Sequence, residues 1–366
     1  MAEVTNYIDR LVAELCPDGV EYRPLGEIAD IGTGKSDKKD AQESGQYPFY
    51  VRSKTILRSS KYLYDETAIV IPGEGGVGEI FHFVSGKYDL HQRAYRVSFT
   101  VDEMNPKFGY YYISSFFKEY INRHAVEATV KSIRKPMLVK FEVPVPPLEI
   151  QEAIVEILDK FTNMEAELEA ELEARTLQYE YYRDSLFEAL DCPRVPLDSF
   201  AKIKNGKTYK DFGAGNIPVY GSGGIMTYVD RSSYDKPTVL IPRKGSLGNL
   251  FYLEEPFWNV DTIFYTEIDE EQVIPKFLYY FLKTAHLEDL NTAGGVPSLT
   301  QKVLNKVLIP VPSLEEQQRI VDILDRFDAL TSSLSEGLPA ELAARRSQYE
   351  YYRDRLLTFP RKGENQ

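Results

Sequence analysis

The sequence predicts an α+β fold: two similar globular α/β domains separated by two long antiparallel coiled-coil helices, related as a circularly permuted, pseudo-two-fold repeat. Three observations predict it. First, the chain contains itself twice. Pro146 to Phe161 recurs as Pro312 to Phe327, and Gln178-Tyr179-Glu180-Tyr181-Tyr182-Arg183-Asp184 returns unchanged as Gln348 to Asp354. Such duplication signals a repeated supersecondary unit. Second, both stretches around these blocks carry apolar groups at alternating four- and three-residue steps, the signature of a helical seam. Third, the intervening segments hold short β-branched runs between turn residues.

The elements follow in order. Residues 1–19 read as a short helix; Tyr7, Leu11 and Leu15 before Cys16-Pro17 mirror Tyr182, Leu186 and Leu190 before Cys192-Pro193. The chain thus begins with a displaced tail of the repeat, and its two ends are expected to meet. Residues 20–147 form the first globular domain, with strands around Ala68–Ile71 and Ala94–Val97 and a short helix at Lys107–Ile113. Residues 148–190 form the first long helix, with its seam running through Ile150, Ile154, Ile157, Phe161, Met164, Leu168 and Leu172 to Tyr179, Tyr182 and Leu186. Residues 191–313 repeat the globular pattern, with Thr238–Ile241 and Pro275–Phe281 matching elements of the first copy. Residues 314–359 form the second long helix and 360–366 a tail. The identical heptapeptides sit four residues further apart than the helix starts do, about one turn, and Gly337 and Pro339 predict a kink or break there.

Charge is unevenly spread. The net charge of −13 argues against a nucleic-acid partner. Yet residues 149–190 alone carry −9, whereas residues 20–148 carry +2. The acid lies on the helices, and local field rather than overall charge governs anion binding. No apolar run approaches the roughly 20 residues that a membrane-spanning helix needs. The start of the chain lacks the basic and apolar regions of a secretory signal. Cys16 and Cys192 supply neither a disulfide framework nor a zinc site, so a reduced cytoplasmic protein is expected.

Catalytic patterns fail on context. Gly73-Glu74-Gly75-Gly76-Val77-Gly78 matches a dinucleotide-binding pattern, but β-like residues follow where a helix is required, so a tight hairpin is expected. Gly34-Lys35-Ser36 lacks the earlier glycine of a phosphate loop. Asn105-Pro106-Lys107-Phe108 differs by its lysine from the base-flipping loop of amino-methyltransferases. Four scattered histidines suggest no acid–base site.

The chain resembles the specificity subunits of type I restriction-modification systems. The resemblance rests on Cys16 to Ile28, on Pro144-Val145-Pro146-Pro147-Leu148-Glu149-Ile150-Gln151, on Pro312 to Gln317 and on the twin Tyr-Glu-Tyr-Tyr-Arg-Asp ends. It covers nearly the whole chain. It implies a non-catalytic subunit whose two target recognition domains each read half of a bipartite double-stranded DNA site. It also implies helices that set the spacing and bind two modification subunits, with restriction subunits joining the full complex. S-adenosylmethionine would belong to the modification subunit, and ATP and magnesium to the restriction subunit; none would be bound by this chain. Two other classes stay open here: a scaffold with duplicated protein-binding domains, and a stand-alone enzyme using a nucleotide or S-adenosylmethionine.

Position in the pattern nominates DNA contacts. In the first domain these are Lys35, Lys38 and Lys39; Arg52, Lys54 and Arg58; His91, Gln92 and Arg93; and Lys131, Arg134 and Lys135. The second domain repeats the regions with Lys204, Lys207, Tyr209 and Lys210; Ser222; Arg243 and Lys244; Asn259; and Ser298, Gln301 and Lys302. Arginine, lysine and amide side chains carry the donors that base edges and phosphates accept. Tyr179, Tyr181, Tyr182, Tyr349, Tyr351 and Tyr352 are candidates for partner-subunit contact, because adjacent aromatics cannot all face one seam.

Overall fold

The computed structural model describes residues 2–123, 132–291, 295–331 and 337–363. It is mixed helix and sheet and divides into two compact units, Met1–Glu167 with Ala343–Gln366, and Leu168–Leu342. Each unit therefore takes one globular segment, the first part of the helical segment that follows it, and a stretch of the other helical segment that carries the repeated heptapeptide.

In the first unit six strands form one sheet, in the order 29–33, 94–99, 64–72, 82–90, 47–50, 57–59. All neighbours are antiparallel except 47–50 with 82–90. Ile69, Ile71 and Val97 point into a core shared with Phe108, Ile113 and Phe117 of the helix Pro106–Arg123 and with Ile150, Ile154 and Leu158 of the long helix. A two-stranded ribbon, Tyr22–Pro24 with Glu142–Pro144, ties the entry of the globular segment to its exit.

The second unit repeats this plan with one change. The strand matching 82–90 is broken into Phe251–Leu253 and Trp258–Asn259. The sheet accordingly splits into four strands (201–205, 263–268, 238–242, 251–253) and three (224–229, 217–221, 258–259). Val239, Ile241, Phe264, Phe277 and Leu278 form the core against Ile320 and Leu324. The closing ribbon is Arg194–Pro196 with Leu308–Pro310.

The first long helix is continuous over Leu148–Glu188. Its buried face runs through Ile150, Ile154, Leu158 and Phe161, then Tyr179 and Phe187. Met164, expected in the seam, is 41% exposed. The four-residue steps at each end follow the globular domain being covered rather than a heptad partner. The second long segment is two helices, Leu314–Thr331 and Gly337–Leu356. Gly337 has φ of +77°, and a Cβ there would lie 2.5 Å from the Ala329 carbonyl oxygen, so the expected break uses a residue only glycine can fill.

The chain ends meet within the first unit. The Val20 amide donates to the Pro360 carbonyl at 2.8 Å, and the Lys362 amide to that of Val20 at 3.0 Å. The N-terminal helix Ala2–Leu15 packs Ile8 and Leu11 beside Leu356 and pairs Asp9 with Arg355 at 2.8 Å. Leu357 and Phe187 stand at the same distance from the two heptapeptides. Both follow the repeated heptapeptide and both are buried.

Candidate nucleic-acid interface

In the first unit the loops that carry the sequence-nominated residues converge. The Ser36 amide donates to Leu90 O at 3.2 Å, and the Gln92 amide to Ser36 O at 2.9 Å. Gln92 Nε2 reaches Asp37 at 3.1 Å. Gly34 is required, because a Cβ there would fall 1.8 Å from Leu90 O. The buried Asp89 carboxylate accepts from Ser36 Oγ at 2.9 and 2.8 Å and from Ser59 Oγ at 3.0 Å, so the Lys35 loop is fixed to the sheet from beneath. The glycine loop closes the cluster. Gly73 N–H donates to Arg93 O at 2.9 Å and Ile133 N–H to Gly73 O at 2.8 Å. Arg52 Nη1 and Arg93 Nη1 each donate to Glu74 Oε2 at 2.9 Å. Those hydrogen bonds, Arg93's first, hold the Glu74 carboxyl below its ordinary range.

The second unit builds the same junction with different side chains. Lys207 N–H donates to Asn259 O at 2.9 Å, and Arg243 N–H to Thr262 O at 2.9 Å. Leu299 N–H donates to Arg243 O at 2.9 Å, as Ile133 does to Gly73. A Cβ on Gly206 would lie 2.0 Å from Val260 O, the counterpart of the Gly34 approach. Lys244 bridges in the chain to Ser298, and Gly245 lies against Ser222. Lys207, Ser222, Arg243, Lys244 and Ser298 are thus brought together. By these backbone bonds Arg243 stands where the first unit has Gly73, and Lys244 where it has Glu74.

Other nominated residues are placed elsewhere. Lys38, Lys39 and Lys54 are exposed around the first junction, and Arg134 and Lys135 follow Ile133 at its edge. Lys131 lies outside the described residues. Arg58 is committed to structure: its guanidinium donates to Gly45 O at 3.0 Å and Gln46 O at 3.1 Å. His91 is buried, and its Nδ1 accepts the Arg93 N–H at 3.0 Å. With Nδ1 accepting and the ring buried, His91 is a strut rather than a contact for phosphate, and burial first, then Arg52, push its pKa down. Asn259 is fully buried because it occupies the strand register of Leu90, and its Nδ2 donates to Ile263 O at 2.9 Å. It offers nothing to a base edge. Gln301 donates to Ile203 O at 3.1 Å, and Lys204 pairs with Glu267 at 3.1 Å on the strand face. Tyr209 is half-buried, and Lys210 and Lys302 are exposed beyond the junction.

Two repeated devices, absent from the sequence reading, fix each globular segment to its long helix. Gln151 is fully buried; its Nε2 donates to Glu103 O at 2.7 Å and Pro146 O at 2.6 Å, and its Oε1 accepts Asn105 N–H at 2.8 Å. Gln317 repeats this with Gln272 O at 2.9 Å, Pro312 O at 3.0 Å and Ile274 N–H at 2.8 Å. About two turns further on, Asp159 takes Lys107 at 2.9 Å and Tyr111 at 2.5 Å, and Asp325 takes Lys276 at 2.8 Å and Tyr280 at 2.5 Å. Burial, then the bonded carboxylate, raises the Tyr111 and Tyr280 hydroxyls well above the usual tyrosine value.

The repeated tyrosines divide by face. Tyr352 stacks on Phe161 at 6.0 Å, and Tyr182 on Phe327 at 5.9 Å. Tyr179 is buried and Tyr349 half-buried. Tyr181 and Tyr351, at equivalent positions, are 69% and 62% exposed. No described helix is long and apolar enough to cross a membrane.

Comparison with known proteins agrees with this architecture. A family model described as the type I restriction modification DNA specificity domain matches twice, over residues 17–175 and 191–344. The chain is 33% identical to the specificity subunit of the Escherichia coli type I restriction enzyme EcoR124I/EcoR124II, covering 97% of this chain and 98% of that one. It is 30% identical to a Haemophilus influenzae protein named as a type I restriction enzyme specificity subunit, covering 93% and 96%. Among solved structures, the type I restriction-modification S subunit from M. genitalium superposes with a TM-score of 0.62 at 22% identity, covering 93% of this chain and 96% of that one.

Proposed function

This chain belongs to the type I restriction modification DNA specificity family, and from that membership we propose that each unit reads one half of a bipartite double-stranded DNA target. One observation carries the reading: the same four-loop junction recurs in both units, with basic and amide groups gathered on it and different side chains at matching positions. A common scaffold with divergent surface groups is what two readers of different half-sites require. Exposed Arg52, Arg93, Lys207 and Lys244 supply phosphate attraction and donors for base edges. The buried Gln151 and Gln317 latches fix the reader's orientation against its helix. The acidic long helices are the part of the chain least suited to DNA. Exposed Tyr181 and Tyr351 suit them instead to two modification subunits, one per unit. Those subunits would bring S-adenosylmethionine and methylate adenine, and restriction subunits would bring ATP and magnesium. This chain's residues bind and orient.

The test is DNA affinity of the assembled complex measured across a salt series. Arg52→Ala with Arg93→Ala, and separately Arg243→Ala with Lys244→Ala, should weaken binding. Each lost phosphate contact should reduce the slope of log K against log salt by about 0.9. Unchanged affinity and slope in both double variants would overturn the assignment of these loops.

A further inference from the structure

The two junctions differ most at one position. Where the second unit has Lys244, the first has Glu74, a carboxylate in a loop otherwise made for contact with an anion. Resting on the proposed DNA-reading role, the geometry points to Glu74 as a specificity-determining residue: it holds the Arg52 and Arg93 guanidinia on one oxygen and offers the other to the exocyclic amine of a base.

A bare carboxylate facing DNA is repelled by phosphate and is excluded from the groove. Glu74 is not bare. Two guanidinia on two other loops share its Oε2, each at 2.9 Å, so the group of three carries a net charge of +1 and remains attractive to DNA. Its Oε1 has no hydrogen-bond partner among the described residues. The side chains are between a third and three-fifths exposed (Glu74 36%, Arg52 43%, Arg93 57%), so the cluster lies at the surface and not in the core.

The backbone supports the same use. Gly75 and Gly76 have φ of +74° and +77°, so side chains are excluded directly after Glu74. A Cβ on Gly75 would meet only Arg52 O, at 3.3 Å, and one on Gly76 only Ile80. The loop is therefore bare around one carboxylate, which lets a base edge approach closely. A carboxylate oxygen accepts from cytosine N4 or adenine N6, and cannot pair with the acceptors of guanine or thymine in the major groove. The arginines keep their remaining N–H groups for phosphate or for a neighbouring guanine. At the matching position Lys244 makes no ion pair among the described residues and would reject an amine donor. The second unit's junction thus carries the opposite preference.

The experiment compares the complex carrying the native chain, Glu74→Gln and Glu74→Ala, using DNA duplexes in which each position of the first half-site is replaced in turn. Glu74→Ala should lose roughly tenfold of discrimination at a single amine-bearing position, the size expected for one base contact, and Glu74→Gln, which keeps an acceptor oxygen, should lose less. Their affinity for unrelated DNA should rise, since a negative charge is removed, and second half-site discrimination should stay unchanged. Arg52→Ala and Arg93→Ala serve as controls for the underlying reading. If these weaken DNA binding while both Glu74 variants keep full discrimination at every position, Glu74 does not determine specificity and the reading role survives. If the arginine variants also bind as the native chain does, both ideas fall.

Discussion

Replacing Gln151 with alanine tests how the first reader is held. The side-chain amide makes three bonds, to Glu103 O, Pro146 O and Asn105 N–H, from a fully buried position. Alanine leaves the Asn105 N–H without its acceptor, which costs about 1–3 kcal/mol, and removes a donor from each of two carbonyls at roughly 0.5–1.5 kcal/mol apiece. The gain in helix propensity offsets only a few tenths of a kcal/mol. The expected destabilisation of the first unit is therefore about 3 kcal/mol. Urea unfolding monitored by hydrogen exchange reads it locally: exchange at Asn105 and along Pro106–Arg123 should accelerate about a hundredfold, while Pro275–Thr284 in the second unit is unchanged. Gln317→Ala should show the converse pattern. The two effects should add, because the sites share no partner. A loss below about 1 kcal/mol, or acceleration spread equally over both units, would refute the latch.

Two more predictions follow. Gly34→Ala would place a Cβ 1.8 Å from the Leu90 carbonyl oxygen, and Gly206→Ala one 2.0 Å from that of Val260. Each should cost roughly 3 kcal/mol and free its lysine-bearing loop to proteolysis, whereas Gly223→Ala, with open space around it, should be neutral. Stability should also depend on mildly acidic pH. Burial lowers the pKa of both His82 and His91 from 6.5. A depressed folded value means that the stabilisation is present above the unfolded value and lost as pH falls through the folded one. Thermal melts of the native chain should thus decline below pH 6.5, with His82→Gln and His91→Gln flattening that decline. Melts equally pH-sensitive without both rings would contradict it.

What was legible in the sequence was the part written locally or written twice. The helices, their repeated starts, the break at Gly337 and the β-like character after the glycine loop all follow from periodicity, identity and backbone chemistry. The proposed reading loops were located as regions because they recur at matched places between elements. Individual side chains were harder. Gln151 stood in a quoted motif, but its role depends on partners 46 and 48 residues away. Glu74 was passed over because its arginines lie 22 and 19 residues off on separate loops. Asn259 and His91 looked available because polarity predicts exposure, yet both are buried. The seam assigned to Met164 failed because a heptad pattern cannot tell a partner helix from a covered domain.

The central claim is that each unit reads its own half of the target. Exchanging residues 20–147 for the corresponding segment of a relative, then mapping methylated adenines across the host genome, tests it most directly. The account predicts a new sequence in one half of the methylated motif, with the other half and the spacing between them retained. A motif unchanged in both halves, or altered in both, would contradict it.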